Sequence, residues 1–234
     1  MQMRPSEVLV LLTNYYAVSE IASFSRKSIN LDACTFLDYL DTGSITDGKI
    51  HNLTRYTDFT KLPSRARKSI IEGDILYSTV RPNNRHFGII HSDCKDMVVS
   101  TGFSVIRADR EKVLPDYLYY LLTGNSVIDL LESIAEQSVS TYPSINDSDI
   151  GDLEFEIPSL ASQQVVVDII NSIDRKICNN EKINDNLQAI AYSKYNHLKR
   201  SCVDQVSLSD IAEVCYGKDH KSLSNGSIPV YGSG

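Results

Sequence analysis

Positions Val166, Ile170, Ile173, Ile177, Asn180, Asn184, Leu187, Ala191, Lys194 and Leu198 follow one another at alternating spacings of three and four. A 3.5-residue period held for more than four heptads predicts a helix whose stripe faces another helix. No glycine interrupts the stretch from Pro158 to Arg200, and its single proline stands at the start, where a missing N–H costs nothing. At ~1.5 Å per residue, roughly 40 residues reach ~60 Å, more than the width of a small domain. The sequence offers no second rod of that length, so the partner helix is expected from another chain. Asn180 and Asn184 stand on the stripe where Ile or Leu would bury better. Either they fix register and partner choice, as polar seam residues do, or the seam opens there and both are solvated.

The 234 residues allow one or two domains, and 42% hydrophobic with 23% charged residues is an ordinary globular composition. Cys34, Cys94, Cys178, Cys202 and Cys215 are scattered, odd in number and without a CxxC pair. That pattern predicts free thiols in a reducing compartment, not a disulfide framework or zinc site. The grouping of His86, His91 and Cys94 matches no metal motif and reads as a surface loop. Val8–Leu12 is too short to span a membrane or to form a signal core, so a cytoplasmic location without membrane contact is expected.

Net charge is −7, which by itself argues against a polyanionic partner, but the charge is unevenly spread. Residues 49–86 hold eight basic and three acidic side chains, and residues 144–190 hold nine acidic and three basic. A basic patch in an acidic chain is an arrangement that points one face at nucleic acid.

Asp47-Gly48 predicts a tight turn before Lys49-Ile50. Short strands are expected at Ile75–Val80, Phe87–Ile90, Met97–Ile106 and Leu153–Ile157, with helices over Pro115–Leu122 and Val127–Ala135. Asn146–Asp149 reads as a turn or helix start. The sum is a mixed α/β domain over 1–157, a coiled-coil-forming helix over 158–204, and about 30 residues (205–234) too few to bury a core alone. Val18-Ser-Glu-Ile-Ala-Ser-Phe24 reappears at an offset of 190 as Leu208-Ser-Asp-Ile-Ala-Glu-Val214, so the tail reads as a module starting a second time.

No GxxxxGK[ST] phosphate loop, GxSxG elbow, glycine-rich S-adenosylmethionine loop or [N/D]PP[Y/F] tetrapeptide occurs in the sequence. Asp149, Asp152 and Glu154 read as acidic residues on a solvated strand, not as a metal site. A binding protein is the expectation. For DNA, Arg81, Asn83, Asn84, Arg85 and His86 supply the donors and acceptors that base edges and phosphates take. Lys61, Arg65, Arg67 and Lys68 suit backbone phosphates, and Ser138, Thr141 and Tyr142 offer hydroxyls in a loop.

Taken together, VSEIASF (18–24), SITDGKI (44–50), IIEGDILYSTVRPNN (70–84), VVSTGFSVIRAD (98–109), LPDYLYYLL (114–122) and the run from STYPSIND to DRKI (140–177) resemble the specificity (S) subunit of type I restriction–modification enzymes. VSLSDIAEVCYGK (206–218) and IPVYGSG (228–234) resemble the opening of a second target recognition domain. The resemblance implies a non-catalytic reader of double-stranded DNA without cofactors of its own. It implies docking of methyltransferase (M) subunits that use S-adenosylmethionine and of a motor-nuclease (R) subunit that uses ATP and Mg²⁺. Family members pair two recognition domains with two helices, whereas this chain holds one domain, one helix and a stub, whether as a natural half-length form or a fragment. Two copies pairing through the stripe would restore two readers, set one to two DNA turns apart at ~34–36 Å per turn. The rival expectation is a coiled-coil scaffold or decoy that uses the helix alone.

Overall fold

The computed structural model describes residues 14–91, 94–137, 143–201 and 206–213. Strands β1 (Asn14–Ala17), β2 (Ala22–Phe24), β3 (Leu37–Leu40), β4 (Ile45–Thr46), β5 (Lys49–Ile50), β6 (Thr54–Tyr56) and β7 (Ala66–Ser69) come first, with the short helix α1 (Val18–Ile21) between β1 and β2. Then follow β8 (Ile75–Ser78), β9 (Phe87–Ile89), β10 (Met97–Ser100), β11 (Phe103–Ala108), α2 (Pro115–Leu122), α3 (Asn125–Gln137) and α4 (Asp147–Gly151). The chain continues through β12 (Glu154–Ile157), α5 (Leu160–Ser201) and α6 (Leu208–Ile211). The chain divides into two compact units, one ending at Arg175 and one beginning at Lys176. The first unit thus includes the opening turns of α5 as well as the expected domain.

Two four-stranded sheets build the first unit, in the orders β6-β3-β10-β7 and β2-β11-β8-β9. All pairings are antiparallel except β3 with β10. The expected single strand over Met97–Ile106 is two strands, because the chain leaves one sheet at Ser100 and enters the other at Phe103. Thr101-Gly102 makes that crossing: the Thr101 N–H donates to the Arg65 carbonyl, and the Gly102 carbonyl accepts from the N–H and hydroxyl of Thr79. A Cβ at Gly102 would lie 3.0 Å from Thr42 Cγ2 and 3.3 Å from Arg65 Nη2, so a larger residue would have to push these side-chain ends aside. Apolar side chains of α2 and α3 (Leu118, Leu122, Ile128, Leu131) cover the second sheet with Ile75, Tyr77 and Ile106. The amphipathic spacing that predicted these helices is the spacing that makes this contact.

One ion pair reaches into the core from a partly exposed arginine. Asp74 is fully buried, and its two oxygens accept from Arg107 Nε and Nη2, both at 2.8 Å, while one also accepts the Ile71 N–H at 2.9 Å. This fork geometry satisfies a carboxylate that burial alone would expel.

β1 pairs with β12, bringing the first described strand to the last strand before α5. Ser159 caps α5 through its hydroxyl, which accepts from the Ser162 N–H at 3.3 Å. Gln163 then anchors the helix. It has no exposed surface; its Oε1 accepts the Leu114 N–H at 2.8 Å, and its Nε2 donates to the carbonyls of Lys112 at 3.0 Å and Pro158 at 2.9 Å. Further along the same face Val167 is buried, and Asn171 and Asp174 both accept from the Tyr120 hydroxyl. On the stripe, Ile170 is half-buried, while Val166, Ile173, Ile177, Leu187 and Leu198 are exposed. Asn180, Asn184 and Ala191 are exposed as well. The exposed apolar surface is broader than the stripe, taking in Val165, Ile169, Ile183 and Ile190. No helix among the described residues is long and apolar enough to cross a membrane.

The two copies of the repeat fold alike. Val18–Ile21 and Leu208–Ile211 are each one helical turn, and in each the acidic third residue caps the turn from within. Glu20 accepts the Ala17 N–H at 2.8 Å, and Asp210 accepts the Ser207 N–H at 3.1 Å. They differ in cover: Ile21 is fully buried, whereas Ile211 is 69% exposed.

Gln163→Leu keeps the volume but leaves three backbone groups without the partner that Gln163 gives them. It is expected to destabilise the chain by roughly 3 kcal/mol, read as a lowered midpoint in thermal or denaturant unfolding. An unchanged midpoint would mean that Gln163 is not the anchor.

Candidate nucleic-acid interface

The polar loop between β8 and β9 is a single 3₁₀ turn over Pro82–Asn84, bracketed by Arg81 (φ 48°) and Arg85 (φ 55°). Among the described residues the only other non-glycine residue with positive φ is Asp47 (φ 47°), and it touches this loop. A left-handed residue with a Cβ costs about 1–2 kcal/mol, so three of them in one place mark backbone that its surroundings hold in shape.

Asp47 enters through the β4–β5 hairpin. Asp47 and Gly48 (φ 75°) form its turn, as Asp-Gly predicts. The hairpin is stitched to the loop by two backbone bonds of 2.9 Å, from the Asp47 N–H to the Arg85 carbonyl and from the Gly48 N–H to the Phe87 carbonyl. Gly88 eases this approach, since a Cβ there would run into the end of the Ile45 side chain. Beneath the loop, Phe87 stacks on Tyr77 at 5.4 Å and meets the edge of Tyr119 at 6.3 Å. Burial pushes the Tyr77 hydroxyl far above the usual phenol range and that of Tyr119 up to about 12. The Tyr77 hydroxyl is buried without a hydrogen-bond partner among the described residues.

The expected contact residues meet different fates. Asn83 and Asn84 are exposed, and their side chains make no hydrogen bond among the described residues; Arg81 is exposed on the same turn. Arg65 is exposed beside the β10–β11 crossing, whose Gly102 bonds to Thr79, two residues before Arg81. The two sheets therefore bring Arg65 and the Arg81–Asn84 turn to flanking positions on that crossing. Lys61 is exposed and pairs with Asp58 at 3.3 Å, and Arg67 Nε donates to the Ser64 carbonyl at 2.7 Å.

Three others face inward. Lys68 is half-buried, with Nζ donating to the Phe103 carbonyl at 2.6 Å, and burial lowers its pKa. His86 Nδ1 lies 2.7 Å from the Ile45 carbonyl, which accepts only, so that nitrogen carries the proton. Arg85 is half-buried: Nε donates to Asp47 Oδ1 at 2.5 Å, Nη1 donates to Asn125 Oδ1 at 3.0 Å, and the guanidinium lies 5.5 Å from the Phe87 ring centre. Ser138, Thr141 and Tyr142 lie outside the described residues.

Two residues at this site escape a sequence reading. Glu132 Oε2 accepts the Asn83 N–H at 3.0 Å, and Asn125 holds Arg85. They stand seven apart on α3, hence on one face, a spacing visible in the sequence but with no indication there of what the face meets. Among the described residues no group of three or more His, Cys, Asp or Glu side chains is placed to hold a metal ion.

Residues 14–189 match the profile of the type I restriction modification DNA specificity domain family. The HindI specificity subunit of a type I restriction enzyme from Haemophilus influenzae is 32% identical over 180 residues, 77% of this chain and 39% of that protein. The putative MjaX specificity subunit from Methanocaldococcus jannaschii is 26% identical over 162 residues, 67% of this chain and 37% of that protein. Among solved structures, the HsdS subunit from Thermoanaerobacter tengcongensis superposes with a TM-score of 0.62 at 25% identity, over 81% of this chain and 48% of that one. A chain from a type I R-M system shares the fold, with a TM-score of 0.63 at 23% identity, over 92% of this chain and 53% of that one. The chain therefore spans about two fifths of the curated relatives it matches and about half of these solved structures.

Proposed function

Because the chain belongs to the type I restriction–modification DNA specificity family, we propose that its first unit reads one half of a bipartite duplex target without carrying catalysis itself. The observation that supports this best is the Arg81–Asn84 turn. It is a backbone held in costly conformations that presents Arg and Asn side chains outward, and those are the side chains that read guanine and adenine edges in the major groove. Arg65, Lys61 and Arg67 supply phosphate contacts on the neighbouring strand and its approach, which would position the domain without reading sequence. Ser138, Thr141 and Tyr142 are retained as further candidates on the chain segment entering Pro143, whose carbonyl accepts the Arg81 N–H at 3.1 Å.

The exposed apolar surface of α5 takes a second helix. We assign it to a second copy of this chain, paired about a two-fold axis through Val166, Ile170, Ile173, Ile177, Leu187, Ala191 and Leu198, with Asn180 and Asn184 setting register. Such a pair presents two like readers to inverted half-sites. Methyltransferase subunits and a restriction subunit are the further partners, and S-adenosylmethionine, ATP and Mg²⁺ belong to them.

Two measurements test this reading. Arg81→Glu together with Arg65→Glu is expected to weaken duplex binding at least about tenfold at 0.1 M salt and to flatten the dependence of log K on log salt by roughly two units. Unchanged binding would favour a scaffold that uses the helix alone. Sedimentation at micromolar concentration is expected to give a dimer, and a monomer would rule out pairing through α5.

A further inference from the structure

We infer that the turn is set by an internal frame, Asp47, Arg85, Asn125 and Glu132, whose members are positioning residues for sequence discrimination and do not contact DNA. This rests on the reading of Arg81–Asn84 as the base-reading turn, and it changes the role of Arg85. A residue that touches phosphate needs its guanidinium available. Two of the three nitrogens of the Arg85 guanidinium are held by Asp47 and Asn125, and the group lies against the Phe87 ring.

The frame acts at separate points of one short loop. Glu132 takes the Asn83 N–H, which fixes the peptide between Pro82 and Asn83 at the centre of the turn. Arg85 closes the turn in a left-handed conformation, and its side chain ties that end to the β4–β5 hairpin through Asp47 and to the start of α3 through Asn125. The hairpin returns the tie through the backbone, since the Asp47 N–H donates to the Arg85 carbonyl. The other end is held by the Arg81 N–H on the Pro143 carbonyl. What this leaves outward is the pair of side chains that carry no partner among the described residues, Asn83 and Asn84. A bidentate contact to a base edge discriminates only while its direction is held, so the frame bears on selectivity more than on overall affinity.

The positions of Asn125 and Glu132 also show why one helix can serve both ties. They share a face of α3, while Val127, Ile128, Leu131 and Ala135 bury the other. Packing of that buried face on the sheet sets where both polar groups sit.

Selection of bound sequences from a pool of randomised duplex DNA, with the full chain, tests the frame. Wild type is expected to select a motif. Glu132→Ala should blur it, lowering the ratio of selected-duplex to random-duplex affinity about tenfold, with random-duplex affinity and its salt slope unchanged. Glu132→Gln, which keeps an acceptor for the Asn83 N–H, should restore the motif. Arg85→Lys keeps the charge but loses the fork, and should blur the motif like Glu132→Ala. A wild type that selects no motif would overturn the base-reading turn itself and the frame with it. A wild-type motif that Glu132→Ala and Arg85→Lys both select as sharply would overturn the frame alone, as would an Arg85→Ala variant that keeps the motif and loses one unit of salt slope.

Discussion

The Gln163 amide sits where the domain and its long helix are joined. Three backbone groups meet it: the Pro158 carbonyl at the mouth of α5, and the Lys112 carbonyl and Leu114 N–H at the mouth of α2. A buried amide with one acceptor and two donor hydrogens saturates all three at once, and a hydrocarbon of the same size saturates none. The helix start is thereby fixed against α2, and the Tyr120 hydroxyl on α2 repeats the tie about two to three turns further on at Asn171 and Asp174. α3 follows α2 after two residues and carries Asn125 and Glu132 to the loop after β8. Within the first unit, then, the helix root and the Arg81–Asn84 turn are linked through packed helices and hydrogen bonds.

The charge distribution reads differently once partners are known. Three of the nine acidic residues in 144–190 serve the fold itself. Asp147 accepts from the Ser104 hydroxyl at 2.6 Å and pairs with Arg26, Asp149 caps α4 by accepting the Asn146 N–H at 2.6 Å, and Asp174 takes the Tyr120 hydroxyl. The basic run before His86 is likewise divided. Lys68, Arg85 and the Asp38-bound Arg55 satisfy the protein, while Arg65, Asn83 and Asn84 face out. Arg55 lies 4.2 Å from the Phe36 ring centre, and its guanidinium holds the Asp38 carboxyl below the usual range. Local net charge therefore locates the basic region without saying which of its members are available.

What the residues disclose in advance follows from how local the determining forces are. The Asp-Gly turn at 47–48, the helices at Pro115 and Asn125 and the long helix after Pro158 are set by neighbours within a few positions, and the sequence states them. The division of Met97–Ile106 at Thr101-Gly102 is not local. It depends on Arg65 and Thr79, some 20 to 40 residues away, whose backbone groups bond to Thr101 and Gly102. The left-handed Arg81 and Arg85 are harder still, because nothing in Arg-Pro-Asn-Asn-Arg demands positive φ. The residues that hold the turn, Asp47, Asn125, Glu132 and Pro143, lie in three other segments. The repeat at Val18 and Leu208 was readable as letters, whereas the shared cap and the opposite burial of Ile21 and Ile211 needed the fold.

Adenine methylation tests the central claim most directly, that one reader per chain is doubled by helix pairing. The chain would be expressed with a candidate methyltransferase subunit in a host lacking this methylation, and modified adenines mapped across bulk DNA. The account predicts a bipartite motif with inverted half-sites and a fixed gap, both halves changing together when Asn83 and Asn84 are replaced. A single contiguous motif, or a bipartite one indifferent to Asn83 and Asn84, would contradict it.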